Sequence, residues 1–208
     1  MAMPRKTAAA PAQSLPKAGR KQETHAKVLR AAARALRRQG PTRVGVLEIM
    51  REAGLTHGGF YAHFASKDDL IAEAIGWMFA ETRARIAARA VADPETESLP
   101  SLIDRYVSPA HRDDPGHGCP LTTLTGDMPH ASAPARAAFD AGVASMAQRV
   151  AKRAPGSNAE AKQQQALSLI AEMVGAVALS RAVSDPALSD AILQAARSSL
   201  KARNGDMV

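Results

Sequence analysis

Apolar residues recur along this chain at spacings of three and four, the period of a helix, so the pattern predicts an all-α fold of about nine helices. Val28, Leu29, Ala32 and Leu36 form the inward stripe of a first helix, from about Glu23 to Gln39. Val46, Ile49, Met50 and Ala53 form that of a short helix over residues 46–53. Gly54 stands where this helix must stop and reverse, because glycine alone enters the left-handed region without steric cost. Leu55 plugs the turn, and Thr56 is a good N-cap for a second short helix over residues 57–63. Ser66 caps a long helix running to about Val91, with Asp68 and Asp69 in its first turn, where the helix dipole favours negative charge. Its apolar face is Leu70, Ile71, Ala74, Ile75, Met78 and Phe79. Helix, tight turn, helix is the geometry that lays a recognition helix in the major groove of DNA.

Beyond Asp93 the pattern predicts a helix over Leu99–Val107, a loop over Ser108–Gly118 by composition, and a short helix over Cys119–Met128. Ser132 caps the next helix, whose stripe is Phe139, Val143, Met146 and Val150. The helix over Ala159–Val183 carries two adjoining stripes, Leu167, Ile170, Val174, Val177 and Leu169, Met173, Ala176, and so needs partners on two sides. Asp185-Pro186 opens a final helix that buries Leu188, Ile192, Ala195, Ala196 and Ser199.

Gly58 and Gly59 each cost a helix about 1 kcal/mol relative to alanine. Their use is close backbone approach to another surface, here phosphates and base edges. Ile49, Ala53-Gly54-Leu55, Phe60-Tyr61, His63-Phe64, Ser66-Lys67 and Leu70, together with Gly40 and the preceding amphipathic helix, resemble the DNA-binding domain of the TetR family of bacterial transcriptional regulators over about residues 21–81. One departure is Gly45, where the family places Thr or Ser as the cap of the first motif helix; glycine caps only slightly less well. The resemblance implies that Thr56, His57, Gly58 and Tyr61 face DNA, with His57 at a base edge. It implies that Tyr61 and Lys67, joined by His63, meet phosphates, and that Gly45 marks a backbone-contact position. It also implies repression, and a homodimer formed by Ala159–Val183 and Pro186–Lys201 as a four-helix bundle with a second copy.

Charge sharpens the division of the chain. Residues 1–67 hold 13 Lys/Arg against 3 Asp/Glu, a balance of +10, whereas residues 68–208 hold 14 against 17, a balance of −3. The footprint of a polyanion partner therefore lies on the half that carries the motif. The expected organisation is a disordered basic arm (1–21, with Arg5, Lys6, Lys17, Arg20 and Lys21), a helix-turn-helix domain (22–81) and a domain for effector binding and dimerisation (82–208). A single cysteine excludes an intramolecular disulfide framework, no run reads as long and apolar enough to span a bilayer, and no signal peptide is evident. The expected setting is the cytoplasm.

Outside the motif, chemistry concentrates between His111 and His130. Cys119 follows Gly118 at the start of a helix, where the dipole and nearby His117 would acidify a thiol, and this segment loosely resembles a TetR branch that senses electrophiles through a Gly-Cys cysteine. The alternatives are a buried structural cysteine and a metal site of His111, His117, Cys119 and His130, whose spacings match no known structural zinc site. No metal or cofactor is therefore assigned. A non-covalent effector pocket would be lined by Trp77, Met78, Tyr106, Met128, Phe139 and Met146, residues that equally suit plain core. Two rivals are an enzyme built on the His/Asp/Cys cluster, for which no catalytic motif is present, and an adaptor whose motif no longer binds DNA.

Overall fold

In the computed structural model, which describes residues 17–205, the amphipathic stretch ahead of Gly40 is one helix, α1 (Lys17–Gln39). It starts earlier than its apolar stripe: Lys17, Arg20 and Lys21, read as part of a basic arm, lie in its first turns. Lysine, alanine and arginine are good helix formers, and periodicity is silent where a helix has no core to face. The rest of that arm lies outside the described residues. Gly40, at φ +74°, ends α1 as a left-handed residue, and Gly54, at φ +73°, does the same work after α2 (Val46–Glu52).

The second element of the motif is a correction. His57–Ala62 is a 3-10 helix rather than an α-helix, and Thr56 at its cap makes no side-chain hydrogen bond. Two adjacent glycines and a single buried anchor, Phe60, leave too little to hold a full α-helical turn. The third element follows expectation: α3 (Lys67–Ala92) starts on Ser66, whose Oγ accepts the Asp69 N–H at 3.1 Å. Its buried residues are the six that the stripe named, Leu70 to Phe79.

The remaining helices are α4 (Leu99–Tyr106), α5 (Pro109–Asp113), α6 (Pro120–Leu124), α7 (Ala133–Ala151), α8 (Ala159–Ala182) and α9 (Pro186–Gly205). Among the described residues the chain thus has nine α-helices and no strand. The expected loop over 108–118 contains α5 and a 3-10 turn at Pro115–His117. Ser108 Oγ accepts the His111 N–H and the Asp114 carboxylate accepts the His117 N–H. Proline, serine and aspartate read as loop by composition, yet they are also what starts a short capped helix.

α8 is as long and apolar as a membrane span, contrary to the expectation that no segment is. Its Leu169, Ile170, Met173, Ala176 and Val177 are buried, the pattern of a core helix packed between α7 and α9. Leu167 and Leu179 are exposed instead. The stripe assigned to α9 is also rotated: Ser189, Leu193 and Leu200 face the core, and Leu188, Ala195 and Ser199 face outward.

Three close contacts tie the N-terminal helices to the rest. The buried Arg37 side chain of α1 pairs with Glu81 of α3 at 2.7 Å. The Asp127 carboxylate, after α6, sits so close to Gly40 that a Cβ there would meet it at 2.5 Å. α3 crosses α7 where Gly142 lies flat on the Phe79 ring, leaving no room for a side chain.

Candidate functional site

The motif's outer edge is polar and open. Thr56, His57, Gly58 and Lys67 are exposed, Tyr61 is 71% exposed, and Gly45 is half-buried. Nothing lies within 4 Å of a Cβ built at Gly58, so its backbone is free to meet a flat partner. Phe60 and Phe64 are buried and stacked with centroids 5.7 Å apart, fixing the 3-10 helix to the domain. His63 stands apart from the other candidates. Its ring leans on His25 and Phe64, and burial, with the neighbouring His25 and Lys21, holds its pKa below the ordinary value. It belongs to the seam under the motif rather than to the outer edge.

The basic half is less available than its formal charge suggests. Arg34 and Arg38 both bind Glu52, at 2.7 and 2.9 Å, and Arg37 binds Glu81. Arg43, Arg51 and Lys67 are exposed and, among the described residues, pair with no carboxylate. Leu47 on α2 is exposed as well. Charge counting summed these arginines but gave no means of telling paired from unpaired ones.

A second site lies between the C-terminal half of α3 and the segment from α4 to α6. It is a cavity of about 350 Å³. Tyr106, His117, Cys119 and Met146 of the expected residues line it; Met78, Met128, Phe139 and Trp77 do not. Met78 is wholly buried in the core, and Met128 and Phe139 edge a separate recess toward the N-terminal end of α7. A face-by-face reading placed the pocket one turn too early on α3, because the cavity begins only where that helix stops being apolar. Arg85, Arg89 and Arg105 were missed, since a lone arginine on a helix reads as a solvated position.

His111 builds the floor. Its Nδ1 donates to the Tyr106 carbonyl at 2.7 Å and its Nε2 accepts the Cys119 N–H at 3.1 Å, so the neutral ring joins the end of α4 to the start of α6. Arg181 of α8 holds the same wall from behind. It donates to the carbonyls of His111 (2.6 Å) and Arg112 (3.0 Å) and to the Thr122 hydroxyl (3.2 Å). Gly118 fits beneath, where a Cβ would press on Arg181 and His111 at 3.2 and 3.3 Å.

Cys119 does not meet the conditions for an acidified thiol. It is 7% exposed, and burial pushes its pKa up despite the contact with the Tyr106 hydroxyl. His117 is exposed and turned to Asp114, 3.0 Å away, and α6 has too few residues for a strong dipole. Nor do the metal candidates converge. His111 spends both ring nitrogens on backbone, and His130 edges a different cleft, beside Pro41 and Lys67. Among the described residues no three His, Cys, Asp or Glu side chains are placed to share an ion.

The His111 geometry fixes a pH response. Burial depresses its pKa below the ordinary 6.5, and His63 shifts the same way. The unfolded chain therefore binds more protons near that pH, so stability is full above about 6.5 and falls as pH drops below it. Melting temperatures measured across this range should decline on the acid side, and His111→Gln should flatten the decline. A curve that rises on acidification would refute the assignment.

Comparison with known proteins converges on one group. Residues 28–74 match the family described as bacterial regulatory proteins, tetR family. The transcriptional regulator TtgR of Pseudomonas putida is 33% identical over 78 residues, 38% of this chain and 37% of that protein. The match thus spans little more than a third of that regulator's length. Two crystal structures share the fold over nearly their whole length. The reduced form of Escherichia coli NemR has a TM-score of 0.64 at 19% identity, covering 86% of this chain and 95% of that one. A TetR-family regulator from Cytophaga hutchinsonii has a TM-score of 0.71 at 18% identity, covering 91% and 98%.

Proposed function

We propose that this chain, whose residues 28–74 match the tetR family of bacterial regulatory proteins, is a homodimeric transcriptional repressor. In this reading it binds a palindromic operator and is released by a small effector held in the arginine-lined cavity. The division into a helix-turn-helix domain (22–81) and a domain for effector and self-association (82–208) is part of the proposal. One observation carries it: a single helix, α3, starts beside the exposed Thr56–Tyr61 edge with Lys67 and ends with Thr82, Arg85, Ile86 and Arg89 in the cavity wall. At 1.5 Å per residue, Lys67 and Arg85 lie about 27 Å apart along this rod.

A single 3-10 recognition element grips DNA weakly, whereas a two-fold dimer reads two half-sites about 34–36 Å apart. The outward faces of α8 and α9 supply a surface for it, with Leu167, Ala171, Leu179, Leu188 and Ala191 exposed. Small residues there permit close helix approach. An effector that prefers one tilt of α3 and an operator that prefers another then oppose each other, and the coupling is reciprocal.

A thiol-based switch is the second reading, favoured only by the place of Cys119 in the cavity wall. A protonated, buried thiol reacts slowly, so the non-covalent route leads. Fluorescence anisotropy on DNA from upstream of the chain's own gene tests both. Tight binding that weakens steeply with salt is expected. Lys67→Ala should lower the salt slope by about one per half-site, and Tyr61→Ala should weaken binding without touching the fold. Salt-insensitive or absent binding would point instead to an adaptor. Loss of binding on treatment with an electrophile, retained in Cys119→Ser, would restore the thiol switch.

A further inference from the structure

The cavity has a charge that the fold does not need. Arg85, Arg89 and Arg105 line it together, and among the described residues none of the three pairs with a carboxylate. The one acidic lining residue, Asp114, is held by His117 through its ring and its backbone N–H. Counting the arginines and Asp114 alone, three guanidinium groups against one carboxylate leave the lining at +2. Arg105 also feels burial and the like charges of Arg89 and Arg149, which lower its pKa. Clustered cations without counter-charge destabilise a folded chain, and such clusters mark sites that await an anion.

Two polar atoms point the same way. Arg85 Nε is buried without a hydrogen-bond partner among the described residues, and the buried Tyr106 hydroxyl has only the neighbouring Cys119 thiol and no nitrogen or oxygen partner; both residues line the cavity. Tyr106 is only 7% exposed, so that missing partner is not supplied by bulk solvent. Ile86, Leu102, Ala110 and Met146 give the lining an apolar part beside the hydroxyl residues Thr82 and Ser108. A bare inorganic ion would satisfy the arginines but would leave this surface against water. The volume, about 350 Å³, is at the small end of ligand pockets.

We propose that the cavity binds a small organic carboxylate, its anionic end held by Arg85, Arg89 and Arg105 with the Tyr106 hydroxyl, and its apolar body lying on Ile86, Leu102 and Met146. This rests on the reading of the cavity as the effector site and gives that effector a chemical class. The bidentate fork of a guanidinium suits a planar carboxylate, and the phenolic O–H adds a further donor to its oxygens. The charge is already in place, so binding relieves repulsion instead of creating a buried ion.

The test uses the full-length chain, with benzoate and cinnamate as probes and benzamide and cinnamamide as their neutral counterparts. Inorganic phosphate and sulfate serve as anions without a body. Calorimetric titration in the absence of DNA should show binding of the aryl carboxylates and at least tenfold weaker binding of the amides and of both inorganic ions. Arg105→Gln should weaken carboxylate binding by about 10- to 100-fold. Arg89→Gln, at an exposed position with no hydrogen bond to lose, should weaken it too while leaving the unliganded melting temperature unchanged or higher. Equal binding of acid and amide, or no binding of either acid, overturns the proposal. So does carboxylate binding that both variants retain. DNA release is measured separately by anisotropy. Carboxylate binding without release keeps the anion site and sinks the effector reading, whereas release by the amides alone does the reverse.

Discussion

Gly142→Val is expected to lower the melting temperature by about 2–12 °C. Gly142 lies face to face with the Phe79 ring, and a Cβ built there would overlap three of its carbons. Phe79 is 6% exposed and packs edge-on against Phe139, centroids 6.0 Å apart, so the ring has nowhere to swing. Overpacking a core of this kind costs about 1–3 kcal/mol, sometimes more. A chain of this length converts each kcal/mol into about 2–4 °C. Gly142→Ala should cost less, because removing a mid-helix glycine returns about 1 kcal/mol of helix propensity. The check is a double-mutant cycle: Gly142→Val with Phe79→Leu should recover much of the loss. A single variant that melts like the parent chain would show that α3 and α7 are free to separate, and the rigid crossing would have to be abandoned.

Arg181→Ala should be at least as damaging, and more selectively so. One guanidinium fastens α8 to two carbonyls of α5 and to Thr122 of α6. Charge-assisted bonds of this sort are worth about 1.5–3 kcal/mol each but are not additive, so a loss of roughly 2–4 kcal/mol is expected. Because the bonds hold the wall that carries His111, Gly118 and Cys119, ligand binding to the cavity should vanish even at temperatures where the chain is folded. Hydrogen exchange should show residues 109–124 opening while α1 and α2 keep their protection. Uniform loss of protection across the chain would mean that Arg181 supports the whole fold and has no special bond with the cavity. Arg181→Lys should rescue little, since an ammonium does not span three acceptors on two helices.

Most of the architecture was legible because it is periodic. Leu70 to Phe79 in α3 and Val28 to Leu36 in α1 are buried as their spacing requires, and Gly54 takes the left-handed conformation that its place in the turn demands. What was not legible falls into two kinds. The first is local competition: Gly58-Gly59 turned an expected α-helix into a 3-10 helix, and capped prolines hid α5 inside a loop composition. The second is partnership at a distance. No pattern along the chain states that Arg34 and Arg38 share Glu52, or that Arg85, Arg89 and Arg105 share a cavity with no acid to match them. The rotated stripe of α9 is of this second kind, since a helix with two apolar faces does not say which one turns to its own core.

The continuity of α3 also constrains how this chain can be recombined. A graft that joined a foreign operator-reading segment to this cavity would have to place its seam somewhere, and every seam within residues 67–92 cuts through a helix that both halves share. Residues 40–45, between α1 and α2, are no better, because α1 is pinned to Glu81 and its end to Asp127. A workable exchange carries α1, α2, the 3-10 helix and α3 together, and then restores Thr82, Arg85, Ile86 and Arg89 of the cavity wall and rebuilds the side chains of α7 that receive Phe79. Modules that look separable in the sequence are, in the folded chain, one inheritance.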